Sequence, residues 1–470
     1  MNKLKLSLIV LLAIISNTIG FAAKVPAKTF NIKDYGAVGD GQKVNTVAIN
    51  NAIDACVKAG GGTVVVPTGN YVTGTVLLKS NVTLYLEYDA NIIGTNDLSQ
   101  YKSYQLKAED PVQPINITVK DSVAWCRALV LLDNVHDVAI TGHGTIDGAG
   151  VIDKKGEEGR RGPHGIFMGD SKNITISGIR MQRAGNYNIV GLGVENVKCI
   201  DLTVAQGSDG IHIRRGKDLL IQNCKFYTSD DAIAGGYWTN MLITDCLINS
   251  SCNGIRVILP ATNLEIRNCE IFGPGVFGHH RGTPQNPLVS RTLTGIILQP
   301  GAWGVGAGKL DDVYIHDIRM RDLQTAFSVT LIEGNTSNNI IVERVKATGI
   351  TRNAVSIEGW PEASVAQNVK FKDVSIAYQY EDQAKTVASF QRPGTESRPL
   401  PYWGFYAHNV KNIEFENVQL DYEGTDARPV MGFFKVADVK LKNVKYKKSG
   451  SAKQFDIPKE TKVTADNTEL

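Results

Sequence analysis

A short motif returns along this chain at an almost constant interval, and that regularity limits the available folds more than any other feature. Asn173-Ile174-Thr175-Ile176 is echoed by Asn196-Val197-Lys198-Cys199, Asp218-Leu219-Leu220-Ile221, Asn240-Met241-Leu242-Ile243 and Asn263-Leu264-Glu265-Ile266, with starts 23, 22, 22 and 23 residues apart. Further copies begin at Asp312, Asn339, Asn368, Asn412 and Asp438, and earlier ones at Asn81 and Asp137. Each copy opens with Asn or Asp and then alternates apolar with polar residues, as Ile413 and Phe415 do after Asn412. That is strand periodicity in short segments divided by Gly, Asn, Asp and Ser. A period near 22 also suits leucine-rich repeats, but their Leu-x-x-Leu-x-Leu frame is missing and β-branched residues dominate. The fold expected is therefore all-β: a right-handed, single-stranded parallel β-helix. Its coils stack ~4.8 Å apart, so a residue at a fixed offset forms a ladder along the surface or through the core. A solenoid grows by adding coils, so 470 residues need not be divided among several cores.

The ends depart from the repeat. Residues 1–23 read as a signal peptide, with Lys3 and Lys5 as its basic start, Leu8 to Ile15 as its apolar centre and Phe21-Ala22-Ala23 as its cleavage region. The apolar run is too short to span a bilayer, and no later run approaches the ~20 residues required. No Cys follows it, so no lipid anchor is expected there. The expected product is a soluble monomer, secreted or periplasmic, with a β-helix catalytic domain over 24–446 and a polar, repeat-free, loosely ordered tail over 447–470. Within 43–59, Ala48, Ile49, Ala52, Ile53, Cys56 and Val57 form a helical apolar stripe that Gly60-Gly61-Gly62 ends. We read it as an amphipathic helix capping the open end of the solenoid.

The formal charge is +3, or +1 without Lys3 and Lys5, which argues against nucleic acid as a partner. Cys224, Cys246 and Cys269 recur at one point of the repeat, as stacked core thiols would, whereas Cys56, Cys126, Cys199 and Cys252 have no evident partner.

Counted from the leading Asn or Asp, offset 13 of the four central coils holds Asn186, Asp209, Asp231 and Asn253, with Asp230 beside Asp231. Gly210, Ala232 and Gly254 follow, predicting an outward strip with little bulk, while Ile211, Ile233 and Ile255 should face inward. Close carboxylates repel, so one tends to hold its proton while another stays ionised, which is the pair needed to break a glycosidic bond. A polar stack of turn residues accounts for Asn186 and Asn253, but it accounts poorly for three stacked anions. The catalytic reading of Asp209, Asp230 and Asp231 is therefore preferred.

Gly207-Ser208-Asp209-Gly210-Ile211 followed by Thr228-Ser229-Asp230-Asp231-Ala232-Ile233-Ala234 resembles the paired acidic motifs of family 28 glycoside hydrolases, the polygalacturonase family. Four further stretches agree with the resemblance: Tyr35-Gly36-Ala37-Val38-Gly39-Asp40-Gly41, Gly142-His143-Gly144-Thr145-Ile146-Asp147-Gly148, Glu358-Gly359-Trp360-Pro361-Glu362 and Asp426-Ala427-Arg428-Pro429. The likeness runs from about residue 30 to 445, although the first of these stretches also occurs in β-helix lyases. It implies a secreted hydrolase of pectin-like or other acidic or decorated polysaccharide that inverts the anomeric centre. Asp230 would be the general acid, and Asp209 and Asp231 would hold and activate water.

Two departures bear on the substrate. Where the family has Gly-His-Gly, this chain has Cys252-Asn253-Gly254. Where the family has an Arg-x-Lys that binds the substrate carboxylate, Ile297 and Gln299 stand instead. Galacturonate in the usual subsite loses its main support. Candidate substrate contacts are Asn186, His212, Asn253, Arg256, Gln299, and His280 and Arg281 of the insertion 272–293, with Arg214 just beyond His212. For Arg256 an outward solvated side chain weighs equally, and for His279-His280-Arg281 a solvated loop is the preferred reading. The His pair lacks a third ligand at diagnostic spacing, so neither a metal nor a cofactor is expected. Tyr237, Trp238 and Trp303 are aromatics near the same face, suited to sugar stacking or to packing. Two rival readings remain: a lyase that binds Ca²⁺ on the three Asp, and a glycan-binding β-helix without catalysis.

Overall fold

The computed structural model describes residues 28–107, 121–283, 286–288, 292–304, 306–380 and 391–470, with the side chains of 280–283 and 286–288 outside that description. The leading Asn or Asp of each coil proves to be a corner. Asn173, Asn196, Asp218, Asn240 and Asn263 have φ of 57°, 52°, 56°, 59° and 55°. This left-handed region penalises most side chains, and Asn and Asp tolerate it best. The corners are also tied to one another. Asn196 Nδ2 donates to Asn173 Oδ1 (3.0 Å), Asn240 Nδ2 to Asp218 Oδ1 (2.7 Å) and Asn263 Nδ2 to Asn240 Oδ1 (2.8 Å).

Between corners the chain is extended. Strands β1 (Ile189–Ile200), β2 (Ile211–Gln222), β3 (Ile233–Thr244), β4 (Asn253–Val257), β5 (Thr294–Leu298) and β6 (Thr325–Ile332) carry the central rungs. Each pairs in parallel with the strand one coil away, and Ile189, Ile211, Ile233, Ile255, Ile296 and Phe327 fall in line. The chain is a parallel β-helix, and this aliphatic file belongs to one core running from Ile32 to Phe455. Helix α1 (Thr46–Lys58) lays Ala48, Ile49, Ala52, Ile53 and Cys56 against the first strands, while Val57, 37 % exposed, stands outside the stripe. All seven cysteines are free and buried, so the file of Cys224, Cys246 and Cys269 is a thiol stack.

Two expectations are corrected. Gly210, Ala232 and Gly254 do not form an outward strip, because the chain bends at this corner and the alternation of sides breaks. A Cβ on Gly210 would lie 2.7 Å from the Phe226 ring, one on Gly254 would lie 2.9 Å from Ile271 Cγ2, and Ala232 is a core residue. The tail after 447 is not free of repeat either. Phe455–Asp456 and Lys462–Asp466 pair in parallel with Met431–Lys442, adding a partial coil. The expected signal peptide, 1–23, lies outside the described residues. Among the described residues, no helix is long and apolar enough to cross a membrane.

Candidate active site

Asp209 and Asp231 each stand two residues before the strand they introduce, and the Ile211–Ile233 register puts one above the other. The Gly210 amide donates to Asp231 O (3.0 Å), which fixes the step between the two rungs. Asp230 turns toward the same side. One carboxylate oxygen from each of Asp209, Asp230 and Asp231 lies within 4.8 Å of the others. The three line one pocket, about 620 Å³ including its open mouth, a size suited to a small ligand.

Each carboxylate has its own support. Asp209 Oδ2 is 2.7 Å from His212 Nδ1, and Arg214 Nε donates to His212 Nε2 (3.1 Å). Because Nε2 accepts, the imidazole proton sits on Nδ1 and is donated to Asp209. Burial, reinforced by the Arg214 charge, holds His212 well below the usual histidine range and hence neutral. Burial also pushes the Asp209 carboxyl well above the usual carboxylate range, and the negative charges of Asp230 and Asp231 add to this. Asp231 Oδ1 accepts from the Asn253 amide (3.1 Å) and from Asn253 Nδ2 (2.9 Å), and its Oδ2 faces Arg256 Nη1 at 3.5 Å. Asp230 Oδ2 accepts from Arg161 Nη2 at 3.1 Å, and His279 Nε2 stands 3.7 Å from its Oδ1.

Sequence reasoning named some of these groups and missed others. The pocket brings together Asp209, Asp230, Asp231, His212 and Arg256. Arg256 is 4 % exposed, so it is not a solvated side chain. Asn186 does not share the Asp209 file. Tyr187 does, because the extra residue of the 23-residue coil falls between Gln182, paired with Ala205, and Ile189, paired with Ile211. Asn186 is fully buried behind the pocket, where its Oδ1 accepts from Arg161 Nη1 (3.3 Å). Asn253 and Gln299 also stand behind the wall, bonded to Asp231 and to Arg256. His279 lines the pocket instead of lying in a solvated loop. The side chains of His280 and Arg281 lie outside the described residues. Trp238 is packed in the core with Nε1 donating to Ile213 O (2.7 Å), whereas Trp303 lines the pocket beneath Arg256.

Glu157, Glu158 and Arg161 of the loop after Gly148, Tyr187, Cys252 and Glu396 also line the pocket, and none was assigned a role from the sequence. The loop's Glu157-Glu158-Gly159-Arg160-Arg161 run, dense in both signs of charge, was the available signal. For Glu396 the signal was only coil length, since 44 residues separate Asn368 from Asn412.

Residues 29–256 match the sequence model of a family described as Rhamnogalacturonase A/epimerase, pectate lyase-like. The chain is 25% identical over 335 residues to a probable polygalacturonase of Vitis vinifera, covering 67% of this chain and 65% of that protein. It is 28% identical over 270 residues to an exo-poly-alpha-D-galacturonosidase of Dickeya chrysanthemi, covering 46% and 43%. By these likenesses the chain resembles the polygalacturonases as a divergent relative. Its matches span between about two fifths and two thirds of the length of these two relatives. The Yersinia enterocolitica family 28 exopolygalacturonase superposes with a TM-score of 0.56 at 14% identity, over 94% of this chain and 78% of that one, a likeness of fold. The divergence has a structural side. Ile297, at one of the family's cation positions, pairs with Arg256 in the ladder and is 2 % exposed.

Proposed function

We propose that this chain is an exported glycoside hydrolase acting on pectin-like polysaccharide, with Asp209, Asp230 and Asp231 as its reacting carboxyls. The observation that carries the reading is the convergence of three carboxylate oxygens within 4.8 Å in one open pocket, flanked by Arg161 and Arg256. Such a group holds a proton and a negative charge side by side, as acid-assisted attack of water requires. In the step expected by resemblance, Asp230 protonates the leaving glycosidic oxygen as the C1–O bond breaks. Water held by Asp209 and Asp231 adds to C1 and gives up its proton to that pair, which inverts the anomeric centre. Electrostatics adds a second assignment of the proton, since Asp209 is the carboxyl that burial and its neighbours raise. The same three Asp are the ligand set a calcium-dependent lyase would use. Arg161 on Asp230 and Arg256 on Asp231 already supply positive charge there, which favours the hydrolase.

A polysaccharide screen with the product anomer followed by NMR tests the reading. The expected outcome is a new reducing end that appears inverted, with Asp209→Asn, Asp230→Asn and Asp231→Asn each reducing kcat at least about 100-fold. The variant that loses the alkaline limb of the pH profile identifies the acid. Retention of configuration would refute inversion. Ultraviolet-absorbing unsaturated products that vanish with a chelator would establish the lyase, and binding without cleavage would establish a glycan receptor.

A further inference from the structure

The wall beyond Asp231 carries a specificity that the resemblance does not. Arg256 pairs with Ile297 and bonds Gln299, at the place of the lost Arg-x-Lys, and all three of its nitrogens are engaged. Nε donates to Gln299 Oε1 (3.3 Å), Nη1 faces Asp231 Oδ2 (3.5 Å), and Nη2 donates to Thr395 O and to Glu396 Oε1 (2.9 Å). Burial opposes its charge, but Asp231 and Glu396 outweigh burial and hold the guanidinium firmly protonated. Gln299 is closed as well, with Nε2 donating to Thr395 O (2.9 Å).

Glu396 arrives on a segment that the β-helix binds tightly. Arg398 grips the fully buried Glu358 with two hydrogen bonds of 2.8 Å, and Ser397 Oγ lies 3.0 Å from Thr294 Oγ1. The Glu396 side chain is half-buried, and its Oε2 is shielded and receives no hydrogen bond. Leaving an acceptor dry and unbonded is costly, so this atom is set for a donor that a ligand brings. Trp303, with Arg256 5.0 Å from its ring centroid, completes that wall.

A uronate carboxylate entering here would meet Asp231 and Glu396, while the guanidinium between them is already committed to both. A sugar hydroxyl would meet a waiting acceptor. We propose that the subsite beyond Asp231 takes a neutral sugar, and that Glu396 selects it by accepting a hydroxyl hydrogen bond at Oε2 and repelling carboxylates. The proposal rests on the hydrolase reading for its setting, and its test separates the two.

The full chain is offered α-1,4-linked polygalacturonic acid and the same polymer after carboxyl reduction, which replaces each carboxylate with a neutral hydroxymethyl group on the same backbone. Cleavage of the reduced polymer at least about 10-fold faster is expected, and faster cleavage of the acidic polymer overturns the proposal. Glu396→Gln should shrink that preference about 10-fold by improving the acidic polymer relative to the reduced one. A merely structural Glu396 would lower both rates equally. If neither polymer is cut, binding of D-galactose, L-rhamnose and D-xylose is compared with that of D-galacturonate by saturation-transfer NMR on Asp230→Asn. Preference for a neutral sugar then sustains this proposal while the hydrolase reading falls. Preference for galacturonate, or binding of none, refutes it.

Discussion

Asp209 is a buried carboxyl beside two others, and burial together with their negative charges raises its pKa well above the usual carboxylate range. A raised pKa in the folded state means that the folded protein binds the Asp209 proton more tightly than the unfolded chain does. The stability it contributes is therefore fully present below the unfolded value of about 3.9 and is lost as pH rises through the raised folded value. Asp209→Asn keeps an acceptor for His212 Nδ1 and removes the charge. It should be more stable than the wild type at pH 7 by about 0.5–2 kcal/mol, with the gap closing toward pH 3, while activity falls. Urea denaturation of both proteins between pH 3 and 8 measures this, and a variant less stable at pH 7 would contradict it. The residues of this pair were readable from sequence because Asp209 and Asp231 obey the period. Arg161 and Glu396 were not, because they enter on insertions that share no offset with the ladder and meet the site through partners distant in sequence, Asp230 for Arg161 and Arg256 for Glu396.

At the scale of the element, what the sequence showed well was the corner and what it showed badly was the direction of side chains next to it. The leading Asn is an αL residue with a bridging amide, a requirement that few residue types meet, so it repeats visibly. Gly210 and Ala232 were misplaced because a strict two-residue alternation cannot describe a chain that is turning. Glycine has a sharper role in β3, where Gly235 pairs with Ile213 of β2. Its φ is +131°, and a Cβ there would lie 1.8 Å from Ile213 O, the carbonyl that accepts the Trp238 indole. Gly235→Ala should destabilise the protein by about 3 kcal/mol, from backbone strain plus a clash that only a backbone shift relieves. Gly394→Ala is the matched control, because an added Cβ there meets nothing within 4 Å, and it should stay within about 0.5 kcal/mol of wild type. Equal stability of the two variants in chemical denaturation would remove the claim that Gly235 shapes this rung.

For the whole molecule the question is whether coils melt one by one or together. A solenoid contacts only its neighbours, so its cooperativity depends on how well each rung is joined to the next. Here the joining is continuous. One apolar core runs from Ile32 to Phe455, and the corner amides bond from coil to coil along its outside. Ile243 is fully buried in β3, does not line the acidic pocket, and lies in file with Ile221 and Ile266. Ile243→Ala opens a cavity that both neighbouring rungs feel, which should cost about 2–5 kcal/mol. If the stack unfolds as one unit, that loss lowers the midpoint of a single transition. Far-ultraviolet circular dichroism, which reads every coil, should then coincide with the fluorescence of Trp125, Trp238, Trp303, Trp360 and Trp403, which samples coils along the axis. Two separated transitions in the variant would mean that the coils on either side of Ile243 hold themselves together independently. The active site, assembled from β2 to β4, the corners that introduce them and segments that reach back across them, would then lie across the weakest joint of the molecule. A single shifted transition means instead that the pocket's geometry is guaranteed by the length of the stack on both sides of it.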